Sequence, residues 1–347
     1  MRLPKAIFTL FLLTASVLAT SLLARADAIG RITPGGAITQ YGLPANSGPA
    51  GITSGPDGNL WFTEQTAGKI GQITTGGVVT PYNLSSTSGP AGITSGPGGN
   101  LWFTEQSAAR IGSITPGGSI TEFPLTSGSG PKGIATGSDG NLWVTESLGQ
   151  RVAQITPGGS VTEFSVPTNP AGPAGIIAGP GGKLWFTEQT AGQIAQITTG
   201  GMFNEISLPS NASGPLGMTL GPDGNVWFTE YSGNKIGQIT PGGLITEFSL
   251  PTNAAGPLSI TAGPDGNLWF TEQTAGQIGR ITPAGVITEF ILPPNSSPGG
   301  ITAGPDGNLW FTNATIPEPS SFVLASLGLL GAVGWVRRPR KRCSLGD

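Results

Sequence analysis

Gly263-Pro264-Asp265-Gly266-Asn267-Leu268-Trp269-Phe270-Thr271-Glu272-Gln273-Thr274-Ala275-Gly276 returns in variant form along almost the whole chain. Its landmark tryptophan is repeated as Trp61, Trp102, Trp143, Trp185, Trp227, Trp269 and Trp310, always 41 or 42 residues from the next. A period of that length overrides the two or three domains that 347 residues would otherwise suggest. Each period holds four short apolar runs separated by turn residues. In the unit around Trp227 the strands are read as Met218-Thr219-Leu220, Asn225 to Glu230, Lys235 to Thr240 and Leu244 to Leu250, with corners at Pro222-Asp223-Gly224 and Pro241-Gly242-Gly243.

Four antiparallel strands per repeat describe a β-propeller blade. The ends of the chain separate a propeller from a solenoid. Ile29-Gly30-Arg31-Ile32-Thr33 opens only the second half of a repeat, and the missing first half, Gly300 to Thr312, stands at the far end. Seven first halves and seven second halves make seven blades, the last assembled from both ends of the chain. That pairing closes a ring and leaves no frayed edge. The predicted fold is therefore all-β, a seven-bladed propeller of four-stranded blades over residues 29–316. One Trp per blade is expected to pack between neighbouring sheets, in preference to forming an aromatic cage.

Gly 58 and Pro 31 recur at fixed places in the repeat, so they are turn chemistry and not low complexity. The single Cys343 closes no intramolecular disulfide. From Asp27 to Asn313 there are 17 acidic residues against 8 basic, a net charge of −9, which gives no electrostatic footprint for nucleic acid.

The termini differ in character from the repeats. Residues 1–28 read as a secretory signal: Arg2 and Lys5, an apolar run, then two small-x-small triplets, Ala24-Arg25-Ala26 and Ala26-Asp27-Ala28, either of which would serve a signal peptidase. An uncleaved anchor is the alternative. In residues 317–347, Pro317-Glu318-Pro319 precedes an apolar run from Phe322 to Val336 and the basic end Arg337-Arg338-Pro339-Arg340-Lys341-Arg342. The run is short for a membrane span, although flanking Arg can snorkel, and its basic end would stay cytoplasmic. The order of parts resembles the PEP-CTERM sorting signal of Gram-negative bacteria. That resemblance implies passage through the inner membrane, transient anchoring there as a transmembrane helix, recognition by an exosortase, and release to the cell surface or extracellular matrix. A plain C-terminal anchor is the alternative.

The repeat itself resembles the virginiamycin B lyase (streptogramin lyase) propellers in Gly-Pro-x-Gly-Ile-Thr, Asp-Gly-Asn-Leu-Trp-Phe-Thr-Glu, Ile-Gly-x-Ile-Thr and Ile-Thr-Glu-Phe. The family implies elimination that opens a cyclic depsipeptide, with Mg²⁺ as Lewis acid and histidine as base. Its last-blade motif, Glu-Pro-His-Gly-Ile-Thr, is here Ser297-Pro298-Gly299-Gly300-Ile301-Thr302, and its Pro-His one blade earlier is Pro257-Leu258. The chain contains no histidine. Elimination needs a base poised near neutral pH, which neither Gly nor Leu supplies, and Ser297 is a weaker Mg²⁺ ligand than Glu. No catalytic residue and no cofactor is expected, with Mg²⁺ required only if a lyase activity survives.

What remains is Glu64, Glu105, Glu146, Glu188, Glu230 and Glu272 at the end of six second strands, with Asn313 in the seventh. Such a ring could hold a cation or a polyhydroxy ligand, or each Glu could be tied to local loop donors. Lys132 is the single charge at the x position of Gly-Pro-x-Gly and is placed toward the central opening. The Asp-Gly turns read as structural, because two blades use Gly-Gly instead. A non-catalytic binding or structural module is the leading expectation. A lyase or other metal-dependent enzyme with a non-histidine base, and a polysaccharide-binding protein, are the alternatives; no ligand is identified.

Overall fold

The computed structural model describes residues 27–85, 87–210 and 213–315. Residues 1–26 of the signal segment and the sorting tail, including the predicted transmembrane run, lie outside the described residues, whereas Asp27 and Ala28 are described and Ala28 opens the first strand. Among the described residues no helix is long and apolar enough to cross a membrane.

Seven four-stranded antiparallel sheets follow one another along the chain, and the seventh joins the two ends in the order Ile38–Gly42, Ala28–Ile32, Leu309–Thr315, Ser296–Ala303. Its register pairs Ala28 with Asn313, Ile29 with Thr312 and Ile32 with Leu309. The split repeat thus closes the ring as the sequence requires. In each blade the first strand is innermost and the fourth outermost, and the first strands surround a central cavity of about 200 Å³ lined mainly by their Gly-Ile pairs, from Gly51-Ile52 to Gly300-Ile301.

Every landmark Trp is buried and packs onto the next blade. Trp227, for example, shares one apolar cluster with Ile260, Leu268, Phe270 and Ile281, and Trp310 joins Ile52, Leu60 and Phe62 across the closure. Within its own blade the Trp stacks on an aromatic residue of the fourth strand in six blades, as Trp227 does on Phe248 at 5.6 Å, while the equivalent place beside Trp185 is held by Ile206. The indole N–H donates to the Asp of the Asp-Gly turn in five blades, including Trp61 to Asp57 at 3.1 Å and Trp269 to Asp265 at 3.0 Å. Where the turn is Pro-Gly-Gly, the Pro97 or Pro180 carbonyl accepts instead, at 3.4 and 3.5 Å. The Asp is therefore an indole cap, and this is why Gly-Gly can replace it.

Gly in Ile-Gly-x-Ile-Thr makes room for the Phe that follows Trp. A Cβ on Gly71 would lie 2.1 Å from the Phe62 ring. Ala takes this place twice, as Ala153 opposite Val144 and as Ala195 opposite Phe186.

The second to fourth strands of the Trp227 blade fall within one residue of the sequence reading, and the first differs by more. The first strand of the Trp227 blade starts at Pro215, not Met218, and a bulge lies between Pro215 and Met218. Pro-x-Gly looks like a turn in sequence, but the bulge serves a bond between blades. The Gly217 N–H donates to Thr229 Oγ1 at 2.9 Å, and Thr229 Oγ1 donates to the Leu258 carbonyl of the next blade at 3.0 Å. The same relay runs through Thr63, Thr104, Thr145, Thr187, Thr271 and Thr312, the last reaching Ala50 at 2.7 Å and completing the circle.

Candidate functional site

Second strands end, and first strands begin, on the face that also carries the loops between blades. The six glutamates stand there as predicted, but below the surface: Glu64 is 3 % exposed, and Glu105, Glu146, Glu188, Glu230 and Glu272 are fully buried. Among the described residues no group of three or more His, Cys, Asp or Glu side chains lies close enough to hold a metal ion. The glutamates occupy separate interior sites, one per blade.

Each of these sites is built the same way. Opposite the glutamate, at the start of the third strand, stands Lys69, Arg110, Arg151, Gln193, Lys235 or Gln277. In five blades a second glutamate on the fourth strand approaches as well: Glu122, Glu163, Glu205, Glu247 or Glu289. In three blades this second carboxylate ties down the loop arriving from the preceding blade through both N–H and hydroxyl, as with Thr168 to Glu205 at 3.0 and 2.8 Å and Thr252 to Glu289 at 3.1 and 2.8 Å. It is thereby a structural acceptor.

The buried partner bears the electrostatic consequence. Burial, followed by the charge of Glu205 or Glu289, raises Glu188 and Glu272 to about 8; these are the two blades whose third strand offers Gln in place of a cation. Burial and a second carboxylate also lift Glu105 and Glu230 to about 7, with Arg110 and Lys235 working in the opposite direction. Glu146 is raised by burial too, against the Arg151 Nε bond at 2.8 Å. Glu64 is raised by burial and opposed by Ser47 and Lys69. No hydrogen-bond donor reaches either oxygen of Glu105, Glu188 or Glu272, so burial acts on them without the direct bond that Arg151 gives Glu146.

The rim of the opening holds what the sequence reading overlooked. The residue after the second-strand glutamate is Gln65, Gln106, Gln189 or Gln273 in four blades and Tyr231 in another. These side chains link blades in pairs: Gln65 Nε2 to Gln106 Oε1 at 3.3 Å, Lys132 Nζ to Gln189 Oε1 at 3.2 Å, and Tyr231 Oη to Gln273 Oε1 at 3.5 Å. Burial holds the Lys132 ammonium below the ordinary lysine value. A period-by-period comparison would have shown the amides, because the other blades have only Ser147 and Ala314 at this place.

At the positions where the lyase motifs would put histidine, Leu258 and Gly299 contribute main-chain carbonyls already engaged by Thr229 and Thr271, at 3.0 and 2.8 Å. At the position of the family's glutamate, the Ser297 N–H donates to Asn313 Oδ1 at 2.9 Å, and Asn313 Nδ2 donates to Ser296 Oγ at 3.1 Å. With no anionic ligand and no imidazole, this set does not fit Mg²⁺ and a base as the family combines them.

The architecture is a closed seven-bladed propeller whose loop face carries polar side chains linking neighbouring blades, with a central cavity lined mainly by Gly and Ile. Residues 20–212 and 126–317 match the virginiamycin B lyase family, and the chain belongs to that family. Among solved structures it is similar to a streptogramin B lyase, with 39 % identity over 83 % of this chain and 96 % of that one and a TM-score of 0.76. It is also similar to the Staphylococcus aureus virginiamycin B lyase, with 38 % identity over 78 % of this chain and 96 % of that one and a TM-score of 0.73. A catalytically inactive histidine-to-alanine variant of the S. aureus enzyme, solved with quinupristin, aligns at 36 % identity over 84 % of this chain and all of that one, with a TM-score of 0.74. No functionally curated protein matches the chain significantly. Residues 315–338 match the PEP-CTERM protein-sorting motif, which implies exosortase-mediated sorting and C-terminal processing toward the cell surface.

Proposed function

We propose that this family member is a surface-sorted binding module that does not open streptogramin B antibiotics. The observation that carries the reading is the pair Leu258 and Gly299 at the histidine positions of a chain with no histidine at all. A fold alone does not restore chemistry whose base is missing. The buried glutamates do not take over as bases, because they are shielded from any substrate at the rim. Export through the inner membrane of a Gram-negative bacterium, signal-peptidase and exosortase processing, and a transient C-terminal anchor complete the reading. Purified residues 27–315, incubated with a streptogramin B antibiotic and Mg²⁺, are expected to leave the ring intact by mass spectrometry. Ring opening at an enzyme-like rate overturns the proposal.

The amide-rich rim favours a polyhydroxylated ligand, since Gln, Tyr and Lys side chains match hydroxyl groups in donors and acceptors. A glycan array is the direct measurement. Hits weakened about tenfold or more by Lys132→Ala together with Gln189→Ala support a polysaccharide ligand, the loss of two hydrogen bonds setting that scale. An array indistinguishable from that of an unrelated propeller removes this ligand class.

A further inference from the structure

We propose that the exported chain begins at Asp27, the leader being cut after Ala26 and not after Ala28. The proposal rests on the reading of residues 1–28 as a secretory signal, in which either cut is possible. In the cut, the Ala26–Asp27 amide is hydrolysed, one water yielding the Ala26 carboxylate and the Asp27 α-ammonium. Either triplet satisfies a small-x-small peptidase, so the sequence leaves the choice open.

The ring shows which of the two products carries a complete closing blade. Asp27 is 5 % exposed and ties three segments together. Its carbonyl accepts from Leu43 N at 2.6 Å, Oδ2 accepts from Gly48 N at 2.9 Å, and Oδ1 accepts from Thr315 N at 3.1 Å and Thr315 Oγ1 at 3.4 Å. These contacts join the outer strand of the closing blade, the entry to the first complete blade and the last strand of the ring. Ala28 is buried as well and is paired with both Gly42 and Asn313.

The other blades show that position 27 is a working part of a blade. Its equivalents are Gly68, Ala109, Gln150, Gly192, Asn234 and Gly276, and each carbonyl accepts the N–H that corresponds to Leu43. Gln150 Oε1 accepts from Ala171 N and Gly172 N at 2.8 and 2.9 Å, and Asn234 Oδ1 from Ala255 N at 2.8 Å, bracing the next blade's entry as Asp27 braces Gly48. All six equivalents have positive φ, between 52° and 67°, because there the chain turns from second strand to third. In the closing blade the second strand, Leu309–Thr315, comes from the far end of the chain, and Asp27 directly precedes the third strand, Ala28–Ile32.

Signal peptidase acts on the unfolded, translocating chain, so the fold does not select the bond. It shows which product is complete. A cut after Ala26 retains every contact described above. A cut after Ala28 deletes the clasp and one strand position, and leaves Leu43 N and Gly48 N without their acceptors.

The test is to express the full chain, recover the exported protein, label free α-amines and identify the N-terminal peptide by mass spectrometry. A peptide starting at Asp27 is expected, and one starting at Ile29 overturns the proposal. A chain still carrying Met1 also overturns it, and is distinguishable because the leader reading itself has then failed. As an independent check, two proteins released from a cleavable fusion, one starting at Asp27 and one at Ile29, are compared by thermal unfolding. The shorter chain is expected to melt roughly 5 °C or more below the longer one. Equal midpoints would overturn the clasp.

Discussion

Glu272→Gln is expected to raise the thermal midpoint at pH 8 and leave it almost unchanged at pH 5. In the folded protein Glu272 is fully buried, faces Glu289 and Gln277, and has its pKa raised to about 8 by burial and then by the Glu289 charge. In the unfolded chain it titrates as an ordinary glutamate near 4.5. Between those values the native state binds a proton that the unfolded state has released, so stability falls as pH rises through that window. Below it the penalty is absent. The amide cannot ionise, and its N–H₂ can donate toward Glu289 or toward Gln277 Oε1, a buried oxygen with no donor of its own. The gain at pH 8 is on the order of 2–4 kcal/mol. Glu146→Gln should gain less, because Arg151 already opposes the burial that raises Glu146, and the amide leaves Arg151 Nε only a neutral acceptor. Equal responses of the two variants at pH 8, measured by calorimetry, would show that the third-strand partner does not set these protonation states. The indole-capping aspartates act at the other end of the scale. Burial alone would raise Asp57, Asp139, Asp223, Asp265 and Asp306, but hydrogen bonds from Asn, Trp and, in three of these blades, Gln outweigh it and hold all five below the ordinary value. Their contribution is present above the unfolded pKa and is lost as pH falls through the folded one. The two effects together place maximum stability in the mildly acidic range, roughly pH 4–6.

The blade count and ring closure were legible because both follow from repetition: seven Trp-centred halves and seven Ile-Gly-x-Ile-Thr halves have one arrangement that pairs them all. The inter-blade threonine relay was less visible. Thr229 is the same residue in every copy, but its acceptor, the Leu258 carbonyl, belongs to another repeat and to a bulged segment that Pro-x-Gly disguises as a turn. The glutamates were found, while their burial was not. A charged residue at a strand end beside a Gly-rich loop reads as exposed, and only the folded ring shows the incoming loop sealing it. A clue did exist in the second glutamate, 17 residues after the first in five blades, from Glu105 and Glu122 to Glu272 and Glu289. Its absence from the other two, with Pro81 in one and Gln40 beside Asn313 in the other, fits a local carboxylate pair better than a ring-wide ligand site.

Trp227→Ala should be the most damaging substitution of a single residue considered for the scaffold. Trp227 is fully buried, stacks on Phe248 within its own blade and reaches into the apolar cluster of the next, so one side chain closes two layers of packing. Truncation leaves a cavity between stacked sheets that are themselves pinned by the threonine relay and cannot collapse into it. A loss of about 3–5 kcal/mol follows, as for other large aromatic residues removed from tightly packed interiors. Asp223→Ala should cost less, on the order of 1–2 kcal/mol, because it removes the indole's acceptor at 3.1 Å and the Asn225 and Gln238 bonds but no apolar packing. Natural variation within the chain supports this ranking: the Asp is exchanged for Gly98 or Gly181 in two blades, whereas Trp is present in all seven. In the closed ring each sheet leans on two neighbours, so weakening the contact between the fifth and sixth sheets loosens both. The measurement is thermal unfolding of the two variants beside the parent protein, with a fall on the order of 10 °C expected for Trp227→Ala. A smaller effect for Trp227→Ala than for Asp223→Ala would mean that turn capping, and not packing between sheets, holds the blades together.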